Sequence, residues 1–233
     1  MPNLTSLIVQ LPLNPATPLE ATGNVPLAGA SLAAAASLPP ETVIDQDTAD
    51  KGGDRSLLEL IAGRSPELVA FTLYMWNAER STWLANMLKR ELPGIITVAG
   101  GPEVTRDNEW LISSDGFDLM VSGEGEKLAD GILDPISVRN IIRDNGSFLD
   151  AGEMSFAPGT YPNPWLTGYL DPSRGASVYV ETIRGCAGGC TYCAYRRTHP
   201  STRVLDAKST EQLLRKLIDT GAGEIVFLDP TFN

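Results

Sequence analysis

The chain has 233 residues, of which 42% are hydrophobic and 20% are charged, and 18 basic against 29 acidic side chains give a net charge of −11. This composition predicts a globular protein with one large or two small domains. The acidic balance disfavours electrostatic binding of nucleic acid. The sequence has neither the roughly 20 apolar residues of a membrane helix nor a basic secretory signal, so we expect a cytoplasmic protein without a membrane span.

Short apolar runs alternate with helical patterns within residues 1–134. The runs are rich in Val and Ile, which is typical of strands buried on both faces. Their order predicts an α/β domain, a Rossmann-like doubly wound parallel sheet covered by helices. The predicted strands are 7–11, 42–45, 68–74, 95–99 and 119–122, and the predicted helices are 26–36, 55–62, 78–92 and 105–113.

The pattern changes after residue 134. Asn145-Gly146 stands between apolar runs and predicts a β-hairpin over Ser137 to Leu149. The segment 151–175 is rich in Pro and Gly and predicts a surface linker, so that 135–176 would form a hairpin and a linker. A second unit, 177–233, then begins with a predicted strand at 178–183, a helix at 209–220 and a strand at 224–228.

Two glycine-containing loops follow predicted strands of the first domain. They are Gly100-Gly101-Pro102-Glu103 and Gly123-Glu124-Gly125. Open α/β sheets bind ligands at the carboxyl ends of their strands, so both loops are candidate binding segments. Neither is specific alone, since a Gly-Gly-Pro can be only a tight turn. No Gly-x-Gly-x-x-Gly follows the first strand, so a nicotinamide site is not supported.

All three cysteines of the chain lie together as Cys186, Cys190 and Cys193, with the spacing C-x3-C-x2-C directly after a predicted strand. Soft thiolates select iron–sulfur clusters or zinc. A four-iron cluster normally takes four thiolates, so three would leave one iron open to a small molecule. The alternative is a zinc-stabilised, non-catalytic binding module in which His199, the only histidine, completes a closed Cys3His site.

The cysteine segment resembles the signature of radical S-adenosylmethionine enzymes, in its spacing, in Tyr192 before the last cysteine and in the flanking residues Arg184-Gly185 and Ala194-Tyr195. The resemblance implies that the three cysteines hold a [4Fe–4S] cluster whose open iron binds S-adenosylmethionine. Cleavage would give a 5′-deoxyadenosyl radical, with an electron donor such as flavodoxin or ferredoxin. Tyr192 would lie against the adenine, or alternatively serve as a packing aromatic.

The segment 227–233 resembles the second barrel strand of the cobalamin-dependent branch of that family. In that branch, polar groups at this strand end face the methionine part of S-adenosylmethionine, which implies a cofactor-binding role for Asp229. The alternative is a turn residue before Pro230.

The glycine loops, together with 69–77 and 164–168, resemble the cobalamin-binding domain that precedes many radical S-adenosylmethionine barrels. The Asp-x-His-x-x-Gly motif of many cobalamin proteins is absent, and no histidine occurs in 1–134, so cobalamin is expected in a histidine-off state. Tyr74, Met75 and Trp76 would lie under the corrin, or alternatively pack at the sheet edge.

A complete (β/α) barrel takes roughly 200 to 250 residues, whereas 177–233 accommodates about two strands and one helix. We therefore expect the N-terminal portion of a longer cobalamin-dependent radical S-adenosylmethionine enzyme. Alone it would be incomplete and inactive, or a truncated product that binds cofactors without turnover. The resemblance implies methyl transfer or rearrangement on an unknown small-molecule or natural-product substrate.

Overall fold

The chain divides into two compact units, Met1–Ala151 and Gly152–Asn233. The computed structural model describes residues 5–13, 25–155, 157–172 and 177–231. No helix within these residues is long and apolar enough to cross a membrane.

A five-stranded parallel sheet forms the centre of the first unit. Its strands pair in the order β1-β2-β3-β4-β5. Every residue of β1 and β2 is buried, as expected for continuous apolar strands that are covered on both faces. The strands are β1 Ser6–Val9, β2 Leu68–Thr72, β3 Ile96–Gly100, β4 Leu119–Ser122 and β5 Phe148–Asp150.

The predicted strand 42–45 is reduced to one parallel bridge, between Val43 and Ile8. Pro40 begins a 3₁₀ turn that ends at Thr42, and Asp45 already caps helix α2 (Gln46–Lys51) by accepting a hydrogen bond from the Thr48 amide at 2.9 Å. Too few extended residues remain for a strand. The bridge nevertheless places this segment on the side of β1 opposite β2, so the winding of the chain reverses at β1, as in doubly wound sheets.

Helices cover both faces of this sheet. Leu7 and Phe71 point to one face and join a core with α3 (Asp54–Arg64) and α4 (Ala78–Glu91), whereas Ile8 points to the other face. The doubly wound prediction is confirmed. The core residues that strands β1 and β2 and helices α3 and α4 supply are Leu7, Val9, Val69, Phe71, Leu57, Leu58, Ile61, Leu84, Ala85 and Leu88.

Helix α1 (Leu27–Ala35) covers the Ile8 face at short range. A Cβ atom on Gly29 would stand 2.9 Å from Cγ2 of Ile8, so only glycine permits this approach without a shift. Ala30, Ala33 and Ala34 are buried along the same helix. The alanine-rich composition is therefore that of a closely packed helix.

The predicted hairpin over 137–149 is wrong, because Pro135–Asn145 forms helix α7. Asp134 caps it by accepting a hydrogen bond from the Ser137 amide at 2.7 Å, and Pro135 occupies the first helical position, where it is tolerated. Gly146 (φ +78°) ends the helix and leads into β5, which pairs in parallel with β4. The segment belongs to the first compact unit. Between β3 and β4 the chain forms α5 (Glu109–Ile112), and between β4 and α7 it forms the 3₁₀ turn Gly125–Leu128 and α6 (Ala129–Ile132).

The second unit contains a parallel β-α-β arrangement. Strand β6 (Val178–Val180) pairs with β9 (Ile225–Phe227), and helix α9 (Ala207–Asp219) lies between them in sequence. Asp206 caps α9 by accepting a hydrogen bond from the Ser209 amide at 3.0 Å. The predicted strand 178–183 ends early, and its last part forms a short antiparallel ladder of β7 (Ile183–Arg184) with β8 (Arg203–Val204).

The Pro- and Gly-rich segment before β6 has no strand or helix in its described residues, but it is anchored by Trp165. Trp165 is 4% exposed, and its indole N–H donates a hydrogen bond to the Tyr179 carbonyl at 2.9 Å. The predicted linker is therefore packed against the first strand of the second unit.

Replacing Trp165 by Ala should destabilise the second unit by about 3–5 kcal/mol, because it removes a large buried side chain and leaves a cavity. Hydrogen exchange measured by mass spectrometry should show faster exchange in β6 and β9, with β2 and β3 unchanged. Trp110→Ala is the control, since Trp110 is exposed. Unchanged protection of β6 in Trp165→Ala would contradict the anchoring role.

Candidate functional site

The loops that follow β2 and β3 join at the carboxyl edge of the first sheet. The Leu73 amide donates a hydrogen bond to the Gly100 carbonyl at 2.7 Å, and the Glu103 amide donates to the Leu73 carbonyl at 3.3 Å. Gly101 has a φ of +112°, and a Cβ atom there would lie 2.6 Å from the Leu73 oxygen. Gly101 therefore serves the tight backbone packing. The space beside Gly100 is open instead, since a Cβ atom placed there would meet its nearest neighbour, the Val121 oxygen, only at 3.8 Å.

The other residues predicted for this edge differ in exposure. Pro102 and Gly123 are exposed, and Glu103 is half-buried. Glu124 is buried, so it belongs to the structure of the loop. Gly125 begins a 3₁₀ turn, and a Cβ atom on it would stand 3.2 Å from Cδ2 of Leu32 in α1. Gly100, Pro102 and Gly123 are thus the backbone positions that the structure leaves open to a ligand.

Asn77 fixes the loop after β2, a role that no sequence motif indicates. It is fully buried, and its Oδ1 accepts a hydrogen bond from the Tyr74 amide at 2.8 Å. Its Nδ2 donates to the carbonyls of Leu11 and Thr72, at 2.9 Å and 3.2 Å. One side chain therefore connects the segments that follow β1 and β2, and only the fold brings these partners together.

Tyr74, Met75 and Trp76 form the surface of the same loop. The Tyr74 and Trp76 rings stack with centroids 4.6 Å apart and planes at 7°. Burial raises the pKa of the Tyr74 phenol above its usual value. Met75 is 82% exposed and Trp76 is 48% exposed. Tyr74 therefore packs at the sheet edge, whereas Met75 and Trp76 expose apolar surface that a ligand could contact.

Two buried hydroxyl groups at this edge have no hydrogen-bond partner within the described residues. They are Oγ1 of Thr72, the last residue of β2, and Oγ of Ser81 in the first turn of α4. An unsatisfied buried polar group costs about 1–3 kcal/mol, which a ligand with polar groups could offset. Sequence reasoning missed both, although a hydroxyl residue that ends an apolar strand is a usable signal.

The cysteine loop of the second unit runs from β7 to helix α8 (Tyr195–Thr198), and Tyr195 closes it. The Gly185 amide donates a hydrogen bond to the Tyr195 hydroxyl at 3.1 Å. Gly185 has a φ of +86°, and a Cβ atom there would collide with the Ser201 carbonyl at 2.0 Å. Glycine before Cys186 is therefore a steric requirement of the loop.

The three thiols fit a multinuclear cluster in their chemistry, and Gly188 leaves space beside two of them. A Cβ atom on Gly188 would stand 3.2 Å from Sγ of Cys186 and 4.0 Å from Sγ of Cys190. The absence of a side chain at Gly188 therefore leaves room between two thiols. Soft thiolates are the ligands that iron–sulfur clusters use.

The Cys186 thiol has hydrogen-bond contacts with a side chain and with the backbone. Its Sγ lies 3.2 Å from the Thr231 hydroxyl, and the Gly188 amide donates a hydrogen bond to it at 3.3 Å. These two hydrogen bonds lower the pKa of the Cys186 thiol, and the positive charge of Arg196 adds to the effect. Lowering this pKa favours the thiolate, which is the form that binds metals.

Asp229 connects the end of β9 to the segment that leads into the cysteine loop. Its Oδ1 accepts hydrogen bonds from the amides of Thr182 and Ile183 at 2.7 Å and 2.9 Å, and its Oδ2 accepts one from the Thr182 hydroxyl. In the described structure, Asp229 is thus more than a turn residue before Pro230. Its carboxylate positions the backbone that precedes the cysteines.

Tyr192 and His199 occupy different environments. The Tyr192 side chain is 90% exposed, so it is not a packing aromatic of the core and its ring is accessible. His199 stacks on Tyr195 with centroids 4.5 Å apart, and its Nδ1 lies 2.8 Å from the Thr198 hydroxyl.

Among the described residues, no three His, Cys, Asp or Glu side chains converge on one point. A closed Cys3His zinc site requires such convergence, since each zinc ligand lies about 2.0–2.3 Å from the ion. A four-iron cluster does not, because each thiolate binds a different iron.

Comparison with known proteins identifies the first unit. Residues 26–133 match the family model of the B12 binding domain. The chain is 25% identical to a 2-(S-pantetheinyl)-carbapenam-3-carboxylate methyltransferase from Streptantibioticus cattleyicolor, over 75% of this chain and 29% of that protein. It is 26% identical to the cobalamin-dependent radical SAM methyltransferase TokK from Streptomyces tokunonensis, over 59% of this chain and 23% of TokK.

In sequence and fold the chain is similar to cobalamin-dependent radical S-adenosylmethionine enzymes. Its fold resembles that of the cobalamin-dependent S-adenosylmethionine radical enzyme OxsB, solved with aqua-cobalamin and S-adenosylmethionine bound, with a TM-score of 0.68 at 15% identity over 98% of this chain. The match covers 34% of OxsB, so the chain spans between 23% and 34% of the length of these relatives. The predicted resemblance to this family and the predicted fold class are confirmed.

The packing of Gly101 gives a stability prediction. Replacing Gly101 by Ala should lower the free energy of unfolding of the first unit by about 1–3 kcal/mol, because a non-glycine residue is strained at this positive φ. Urea denaturation followed by far-UV circular dichroism measures the change. Gly63→Ala is the matched control: nothing lies within 4 Å of its Cβ position in α3, so alanine should be neutral or stabilising there. Equal effects of the two substitutions would contradict the role of Gly101.

Proposed function

We propose that this chain supplies the cobalamin-binding and cluster-binding part of a radical S-adenosylmethionine methyltransferase. The observation that carries the proposal is the succession of two features in one chain. A B12 binding domain over residues 26–133 is followed by a C-x3-C-x2-C loop at the end of a strand in a parallel β-α-β unit. Either feature alone fits several classes of protein, but their combination is typical of this enzyme class.

In this proposal, cobalamin lies on the carboxyl edge of the first sheet. The exposed side chains of Met75 and Trp76 contact one face of the corrin, and Gly100 and Gly123 allow its approach to backbone. The buried hydroxyls of Thr72 and Ser81 hydrogen-bond to polar groups of the ligand. The sequence contains no histidine before His199, so the first unit holds the corrin without an imidazole below the cobalt.

Cys186, Cys190 and Cys193 hold a [4Fe–4S] cluster with one iron left open to S-adenosylmethionine, and Tyr192 offers its exposed ring to the adenine. When bound, the cluster would pass one electron from the donor to S-adenosylmethionine, which would give methionine and a 5′-deoxyadenosyl radical, and methylcobalamin would supply the methyl group. Asp229 holds the backbone before the cysteines in place through three hydrogen bonds. We propose a reduced flavodoxin or ferredoxin as the electron donor.

Methyl transfer is favoured over rearrangement because both named relatives by sequence are methyltransferases. The acceptor is proposed to be a small molecule, since one of these relatives is named for a carbapenam carboxylate substrate. This chain spans only part of those proteins, and the proposal for complete turnover applies to the whole enzyme.

Replacing Cys190 by Ala should abolish cluster binding, because a cluster held by three thiolates loses one of its protein ligands. After anaerobic purification and reconstitution, the unaltered chain should contain four iron and four sulfide per chain, and Cys190→Ala should retain less than about a tenth of either. His199→Ala is the control and should retain both. Unchanged iron in Cys190→Ala would contradict the cluster. Zinc without sulfide, lost in His199→Ala, would support the Cys3His module instead.

Cobalamin bound to the chain should lack an axial protein nitrogen. The electron paramagnetic resonance spectrum of bound cob(II)alamin should show no nitrogen superhyperfine splitting, both in the unaltered chain and in His199→Ala. Met75→Ala should weaken binding of cobalamin about tenfold, since an apolar contact of this size contributes on the order of 1–2 kcal/mol. Ile136→Ala, at another exposed apolar residue of the first unit, is the control and should bind as the unaltered chain does. Resolved nitrogen splitting, or no binding of cobalamin, would contradict the proposal.

A further inference from the structure

The hydroxyl of Thr231 is the side-chain group that the structure places against a cysteine of the loop. Thr231 follows β9, forty-five positions after Cys186, and its Oγ1 lies 3.2 Å from the Cys186 Sγ. Neither the cysteine motif nor the strand pattern singles out this residue. Its position relative to the loop comes from the pairing of β6 with β9.

Two connections, one between backbone groups and one through the Asp229 carboxylate, hold Thr231 at this position. The Leu228 amide donates a hydrogen bond to the Val180 carbonyl at 2.8 Å, which extends the β6–β9 ladder by one residue. Asp229 then accepts hydrogen bonds from the amides of Thr182 and Ile183. Because both ends of the contact are tied to the same pair of strands, the hydroxyl and the sulfur are kept together by the fold.

The chemistry of the contact fixes its direction once iron is bound. A thiolate sulfur has no proton to donate, so Thr231 must be the donor. The Gly188 amide is a second donor to the same sulfur, at 3.3 Å. Hydrogen bonds to the sulfurs of an iron–sulfur cluster are among the factors that set its reduction potential. They stabilise the more negative, reduced state more than the oxidised state, and therefore raise the potential.

We propose that Thr231 is a positioning residue that donates a hydrogen bond to the Cys186 thiolate and raises the reduction potential of the cluster. This inference rests on the proposed function, because it requires the [4Fe–4S] cluster. The inference assigns part of the reduction potential to one residue. The electron enters a cluster whose reduction potential depends on a hydroxyl group from the segment after the neighbouring parallel strand. The effect should be seen without S-adenosylmethionine, cobalamin or turnover.

The test compares three variants of the full chain after anaerobic reconstitution. Thr231→Val removes the hydroxyl and keeps the shape, and Thr231→Ser keeps the hydroxyl. Thr210→Val makes the same change in α9, where the hydroxyl approaches the Leu205 carbonyl and no cysteine. Iron and sulfide are measured first, and the reduced cluster is then titrated against potential by electron paramagnetic resonance.

At a fixed potential, the ratio of reduced to oxidised cluster should fall about tenfold in Thr231→Val, which equals about 59 mV for a one-electron couple. Thr231→Ser and Thr210→Val should titrate like the unaltered chain, and all forms should contain the same iron. An unchanged potential in Thr231→Val overturns the inference and leaves the proposed function standing. Loss of iron in both Thr231 variants overturns it in favour of a purely structural role. No iron or sulfide in the unaltered chain overturns the proposed function, and the inference with it.

Discussion

Parallel strand pairing is the constraint on which both candidate sites depend. In a parallel sheet all carboxyl ends lie at one edge, so loops that are distant in sequence become neighbours there. In the first unit this brings together the loops after β2, β3 and β4. In the second unit it brings the segment after β9 next to the segment that leads into the cysteine loop. Each candidate site is therefore a consequence of strand direction, and the residue types at the strand ends determine its chemistry.

Each unit uses one polar side chain to fix such a strand end. Asn77 accepts a hydrogen bond from the Tyr74 amide and donates to carbonyls at the ends of β1 and β2. Asp229 accepts from the amides of Thr182 and Ile183, next to the cysteine loop. Both side chains satisfy backbone groups that the end of a strand leaves unpaired. Buried backbone groups without partners are costly, so these contacts determine the loop conformations.

The parts of the structure that the sequence predicted correctly depend on local signals. Continuous apolar runs located β2, β3 and β4, and the cysteine spacing located the loop after a strand. The hairpin prediction failed because Asn145-Gly146 suits a helix end as well as a turn. The periodicity after Pro135 and the cap at Asp134 were the competing signals. The roles of Asn77, Ser81 and Thr231 could not be recognised from the sequence, since they depend on surroundings that other segments of the fold supply.

The close approach of helix α1 to β1 limits which substitutions are tolerated near the carboxyl edge of the first sheet. Gly29 meets Ile8 without space for a side chain, while Leu32 of the same helix packs where Gly125 begins its turn. A larger residue at position 29 would push the helix outward, and the 3₁₀ turn that follows Gly123 and Glu124 would lose its support. Variation in helix α1 is thus transmitted to the candidate binding edge. Among homologues, the size of the residue at this position should co-vary with those at positions 8 and 125, whatever substrate each enzyme uses.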